Sequence, residues 1–254
     1  MALEQNRRIG RGYDATLGRA DAAPMDVGLR AYMLRVYNYM ASGLFLSGFV
    51  ALLVANTSLQ NLFFKVSAET GRIGYTGLGF VAILAPIGLI FGMQYAANRG
   101  KIAGLQAMYW AFVALMGVGL SVLLLTYTGV SVTRTLLITA TAFGALSLYG
   151  YTTKRDLGPM GTFLFMGLIG IVIASVVQIF LKSPMMHFII SALGVLIFAG
   201  LTAHDTQKIK TQYVMNVRGS GMEEPSAIMG ATSLYLDFIN LFQFLMMFLG
   251  QRRE

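Results

Sequence analysis

The sequence predicts an all-α integral membrane protein, built as a bundle of seven transmembrane helices. Three observations lead there. Of 254 residues, 56% are hydrophobic and only 12% charged, with a mean hydropathy of +0.65, whereas soluble domains carry about 25% charged residues. The apolar residues gather in runs close to the roughly 20 residues that cross a bilayer as a helix. The connectors between the runs are short and hold charge, glycine or proline, the usual turn signals.

Residues 1–30 are polar, hold Arg7, Arg8, Arg11, Arg19 and Arg30, and contain no apolar core. They read as a flexible, water-exposed amino-terminal tail without a secretory signal, followed by a membrane domain over residues 31–254. The seven runs lie at about 34–56, 77–97, 103–127, 134–152, 160–181, 185–204 and 229–249. Breaks such as Asn98-Arg99-Gly100-Lys101, Thr128-Gly129 and Lys182-Ser183-Pro184 are too short for anything but antiparallel neighbours. Continuous runs, rather than alternating segments of about ten residues, exclude a β-barrel. Pro86 in the second run removes a helix hydrogen bond and is a candidate kink. Gly88 and Gly92 have the small-xxx-small spacing expected where two membrane helices pack closely.

Lysine and arginine set the orientation. With the amino terminus inside, the inner segments hold 13 basic residues, counting Arg7, Arg8, Arg11, Arg19, Arg30, Arg35, Arg99, Lys101, Lys154, Arg155, Lys208, Lys210 and Arg218. The outer segments hold 6, namely Lys65, Arg72, Arg134, Lys182, Arg252 and Arg253. The amino terminus is therefore expected in the cytoplasm and the carboxyl terminus outside. The net charge of +8 is scattered between apolar runs with no aromatic-interleaved patch, so the lipid bilayer and not nucleic acid is the expected partner.

Several activities are disfavoured by what the chain lacks. It has no cysteine, which removes thiolate metal sites and cysteine nucleophiles. The last run has no lysine for a retinal Schiff base, and no His-Glu-x-x-His or Gly-x-Ser-Gly-like nucleophile occurs. His187 and His204 lack metal-ligand spacing. No internal repeat supports an inverted-repeat transporter. No enzyme and no resident cofactor is expected.

Acids at membrane depth mark functional sites. Nine of the eleven acids lie in tails or loops; the exceptions are Asp205, at the inner end of the sixth run, and Asp237, within the last. Asp237 is expected about eight residues, or roughly 12 Å, into its helix. At 100° per residue, Gly230, Ser233 and Asn240 fall within about 60° of it, a small and polar stripe that should face the bundle interior. A neutral aspartic acid bonding a neighbouring helix as structural glue is the lesser alternative for Asp237, because serine or asparagine would serve at lower cost; Asp205 taken alone reads as an ordinary interfacial charge. If the sixth helix continues past its apolar run, Asp205 and Asp237 can meet. Two carboxylates in one low-dielectric site share a proton or hold a hard cation such as Ca²⁺ through oxygen ligands.

His204-Asp-Thr-Gln-Lys-Ile-Lys210, followed by Ser233-Leu-Tyr-Leu-Asp-Phe-Ile-Asn-Leu-Phe242, resembles the carboxyl-terminal signature of the Bax inhibitor-1 family, in its bacterial form. The resemblance implies a bundle with helix seven at its centre, in a bacterial inner membrane. It also implies a pH-sensitive Ca²⁺ leak governed by an aspartate dyad at Asp205 and Asp237, with Ca²⁺ and H⁺ as the ions handled. A basic residue at the inner end of helix two, matched most closely by Arg99, is expected to pair with the dyad. Arg99, His204, Ser233 and Asn240 are thus candidate gating or pore-lining residues. Bacterial members are further linked to a membrane-embedded AAA protease, so a non-conducting regulator binding a membrane protease stands as the alternative. Proton-coupled uptake of a small solute is a third reading.

Overall fold

The computed structural model describes residues 27–66 and 73–253, so the tail expected over residues 1–30 lies, up to residue 26, outside the described residues. Seven long helices follow one another: α1 (Val27–Asn56), α2 (Gly77–Asn98), α3 (Ile102–Thr126), α4 (Gly129–Thr152), α5 (Gly158–Leu181), α6 (Pro184–Gln212) and α7 (Glu223–Leu249). Each is long and apolar enough to cross a membrane. Backbone hydrogen bonds have no other partner in hydrocarbon, so the helix is the form such runs must take. α2 runs through Pro86 without a break.

The connectors behave as their turn residues require. Thr76, Thr128 and Ser183 cap α2, α4 and α6 by accepting from the amides of Gly79, Ser131 and Met186. Gly219 and Gly221 adopt φ of 70° and 75° in the α6–α7 turn. That left-handed backbone brings the Gly219 amide within 2.7 Å of the Glu223 carboxylate at the start of α7.

Two helices are longer than hydropathy suggests. α6 passes Asp205 by seven residues to Gln212 and goes on through a wider π-type turn, Tyr213–Val217. α7 begins at Glu223 rather than near residue 229, which makes Asp237 the fifteenth of its 27 residues. Asp205 is therefore not at a helix end, and Asp237 lies at the midpoint of α7, deeper than eight residues in. Hydropathy registers apolar side chains, whereas the helical backbone continues wherever its hydrogen bonds do. Here Thr206, Ile209 and Tyr213 stay buried and carry the helix inward.

A second unanticipated element is a small antiparallel hairpin between α1 and α2. After a single helical turn, Gln60–Phe63, strand β1 (Phe64–Val66) pairs with β2 (Ile73–Tyr75) in the register Phe64↔Tyr75, Lys65↔Gly74 and Val66↔Ile73. Three-residue strands leave no usable period in a sequence.

α7 is the most buried helix and packs against α1, α2, α3, α4 and α6. α5, the least buried, packs on α6 and joins α7 in one apolar cluster with Leu164, Phe198, Leu201, Leu241 and Leu245. The core around α7 is pinned by Ser47 of α1, whose hydroxyl bonds Tyr235 of α7 at 2.6 Å and the Val113 carbonyl of α3 at 2.7 Å. Close helix approach occurs at Gly117, where a Cβ would lie 2.6 Å from the Ser47 carbonyl oxygen, and at Gly150, where it would strike the Ala203 backbone.

The approach expected at Gly88 does not occur. Gly88 is exposed and a Cβ there would meet nothing within 4 Å; Gly92 faces only the Met108 sulfur, at 3.3 Å. A small-xxx-small pair permits contact, but here only Gly92 meets a neighbouring helix, through a flexible side chain of α3, while Gly88 faces outward.

The carboxyl-terminal residues run back along the α3–α4 connector. The Thr128 amide donates to the Gln251 carbonyl and the Arg253 amide to the Thr126 carbonyl, both at 3.0 Å. The end of α7 thus lies with the α3–α4 turn, at the opposite end of the bundle from the α2–α3, α4–α5 and α6–α7 connectors.

Candidate functional site: an aspartate pair between two cavities

The continuation of α6 and the early start of α7 set Asp205 beside the middle of the central helix. The Ser233 hydroxyl of α7 donates to one carboxylate oxygen of Asp205 at 2.5 Å. The other Asp205 oxygen pairs with Nδ1 of His204 at 2.8 Å. Both oxygens are thereby engaged.

Asp237 is treated differently. It is 5% exposed, and its Oδ2 is buried with no hydrogen-bond partner among the described residues. An unpaired buried polar group is costly, on the order of 1–3 kcal/mol, and Asp237 lies where the adjoining cavity can supply water or an ion to that oxygen. The charged groups that act on Asp237 are Asp205 and Lys208.

The rotation of α6 is fixed from its polar side. Gln207 clamps the α4–α5 connector, donating to the Arg155 carbonyl at 2.7 Å and accepting from the Leu157 amide at 2.8 Å. Lys210 donates to the Tyr151 carbonyl at the end of α4, at 2.7 Å. Thr206, one turn before Lys210 on the same face, joins a buried chain through Ser147 of α4 to Tyr37 of α1. These bonds fix α6 against α4 and the α4–α5 connector, and the Ser233 bond then ties Asp205 to α7.

Two cavities flank the pair. The larger, about 690 Å³, opens between α5 and α7 with α6 as its floor, and holds both Asp205 and Asp237 together with His204, Ser233 and Asn240. It exists because α5 packs on α6 without closing onto α7. The smaller, about 500 Å³, lies between α2, α6 and the start of α7. Asp205, Lys208, Ser233 and Leu236 line both and form the partition between them.

Five of the six residues singled out in the sequence line the larger cavity: Asp205 with His204 and Ser233 bonded to it, Asp237, and Asn240, whose amide donates to the Leu236 carbonyl of its own helix. Arg99 does not join them. Its guanidinium lies over the Tyr95 ring, 4.5 Å from the centroid, and it lines neither cavity; Gln94 and Asn98 are what α2 contributes. The sequence reading missed Lys208 and Gly161. A Cβ at Gly161 would overlap the His204 imidazole, so glycine there lets α5 pass over the site. The Gly158-x-x-Gly161 spacing was the available signal.

Chemically, the arrangement offers carboxylate and hydroxyl oxygens in an open, water-accessible cavity, a donor set suited to hard cations. Among the described residues no three histidine or acidic groups converge. Two carboxylates fit an ion in transit better than a tightly held resident one, since dedicated Ca²⁺ cages use six to eight oxygens.

Comparison with known proteins agrees with this architecture. Residues 29–254 match the family model described as inhibitor of apoptosis-promoting Bax1. An uncharacterized protein of Caulobacter vibrioides is 47% identical over 251 residues, covering 97% of this chain and 99% of that protein. Inner membrane protein YbhL of Escherichia coli K12 is 41% identical over 228 residues, covering 89% and 94%. An uncharacterized membrane protein of Streptococcus pyogenes is 34% identical over 226 residues, covering 89% and 95%.

Proposed function

Because the chain belongs to the Bax inhibitor-1 family, a family of multi-span membrane proteins, we propose that it is a pH-sensitive Ca²⁺ leak channel or transporter gated by Asp205 and Asp237. The observation that carries this reading is the shared cavity. Two carboxylates from different helices line one cavity, one fully hydrogen-bonded and the other buried with an unpaired oxygen. A carboxylate ligates a hard cation in its ionised form, so protons compete with the cation at the same oxygens. The Ser233–Asp205 bond sits in the partition between the cavities, where breaking it joins them.

The protein works without a resident cofactor and catalyses no reaction; Ca²⁺ and H⁺ are its cargo and its signal. The name of the Escherichia coli relative supports placement in a bacterial inner membrane. The count of 13 inner against 6 outer basic residues supports a cytoplasmic amino terminus, which puts the Asp205 end of the bundle toward the cytoplasm. The test is Ca²⁺ entry into liposomes containing the purified protein. Flux above protein-free vesicles, lost in Asp237→Asn, is the expected result. Folded wild-type protein without flux would instead favour a non-conducting regulator bound to a membrane protease.

A further inference from the structure

Lys208 stands where the two cavities meet. It lies one turn after Asp205 on α6, and residues three apart on a helix share a face. It lines the large cavity with the aspartates, the smaller one toward α2, and a third of about 200 Å³ beside the α4–α5 connector. Its side chain is exposed, and among the described residues it forms no ion pair within 4.0 Å. The carboxylate closest to it in sequence is already occupied by His204 and Ser233. A positive charge that lines an acidic cavity without pairing acts on its contents through the field alone.

Resting on the reading of Asp205 and Asp237 as a cation site, we propose that Lys208 sets the selectivity and release of that site. Its ammonium weakens cation binding in proportion to the charge of the ion. Coulomb energy scales with ionic charge, so the penalty on a divalent ion is twice, in free energy, that on a monovalent one. The consequence is a transit site. A pair of carboxylates alone would hold Ca²⁺ in preference to monovalent ions and release it slowly, whereas conduction needs binding favourable enough to enter and weak enough to leave. Lys208 supplies the second condition.

The experiment is cation-dependent thermal stabilisation of the full-length protein in detergent, with CaCl₂ and separately NaCl as probes, on wild type, Lys208→Met and Lys208→Arg. Lys208→Met keeps the length of the side chain and removes its charge. It should reach half-maximal stabilisation at about tenfold lower Ca²⁺ and about threefold lower Na⁺, the second factor being the square root of the first. Lys208→Arg should match wild type. In liposomes, Ca²⁺ flux through Lys208→Met should saturate at correspondingly lower concentration. Equal shifts for the two ions, or none for either while Ca²⁺ still stabilises the wild type and not Asp237→Asn, would overturn the role of Lys208 and leave the aspartate site standing. Absence of Ca²⁺-dependent stabilisation in both wild type and Lys208→Met would overturn the site and this inference together.

Discussion

Ser233 and Asp205 join the central helix to α6 through a 2.5 Å hydrogen bond, one helical turn from the buried Asp237. The bond occupies the only oxygen of Asp205 that His204 does not, so the two aspartates share a cavity with no direct bond between their carboxylates among the described residues. Changes on either helix should therefore be felt by both.

Asp237→Leu should stabilise the fold. The substitution removes a buried polar group whose Oδ2 lacks a partner, worth about 1–3 kcal/mol, and the adjoining cavity leaves room for the larger side chain. Thermal unfolding in detergent should show a higher midpoint than wild type; a lower one would mean that the carboxylate is held by bonds absent from this arrangement. Gain of stability with loss of function is the usual mark of a functional site.

Gly161→Leu should disrupt the bundle, since its first carbon alone overlaps the His204 ring, with a penalty of about 1–3 kcal/mol for forced repacking. Gly88→Leu should lie within about 0.5 kcal/mol of wild type, as expected for an exposed position without neighbours. The paired measurement is the unfolding midpoint of both variants. Equal loss at the two positions would contradict the packing of α2 and α5 described above.

The clamp at Gln207 provides a third measurement. Gln207→Ala removes two hydrogen bonds to the α4–α5 connector, each worth about 1 kcal/mol. Hydrogen exchange at the Leu157 amide should accelerate, and the unfolding midpoint should fall. Unchanged exchange would show that the connector is held by other contacts.

Topology can be read with single cysteines, because the chain has none of its own. Ser220→Cys, in the α6–α7 turn, and Arg252→Cys, beside the α3–α4 turn, should react with a membrane-impermeant thiol reagent from opposite faces. Ser220→Cys should be the cytoplasmic one. Labelling of both from one face would mean that α7 does not cross the membrane.

How much of this was written in the sequence differs by element. The seven helices were legible because apolar runs of spanning length have few other solutions in lipid. The face of α7 carrying Gly230, Ser233, Asp237 and Asn240 was legible because helix period is local. The inward reach of α6 was not, because Asp205-Thr-Gln-Lys-Ile-Lys210 looks like a loop until Thr206 and Ile209 are seen buried against neighbours. The contrast between Gly88 and Gly161 has the same origin. Both are glycines in apolar runs, and only the rotation of each helix, fixed by distant contacts, decides which one meets a neighbour. Arg99 was chosen by position along α2, but its side chain found the Tyr95 ring one turn back. Lys208 was counted only as an orienting charge, since nothing local marks the junction of two cavities.

The most direct test of the central claim is Ca²⁺ flux into proteoliposomes across pH for wild type, Asp205→Asn, Asp237→Asn and the double variant. If the two carboxylates act as one proton-sharing unit, each single substitution should remove most of the pH dependence, and the double variant should be little worse than either, the non-additivity expected of coupled titrating groups. A pH profile that survives both substitutions would contradict the account.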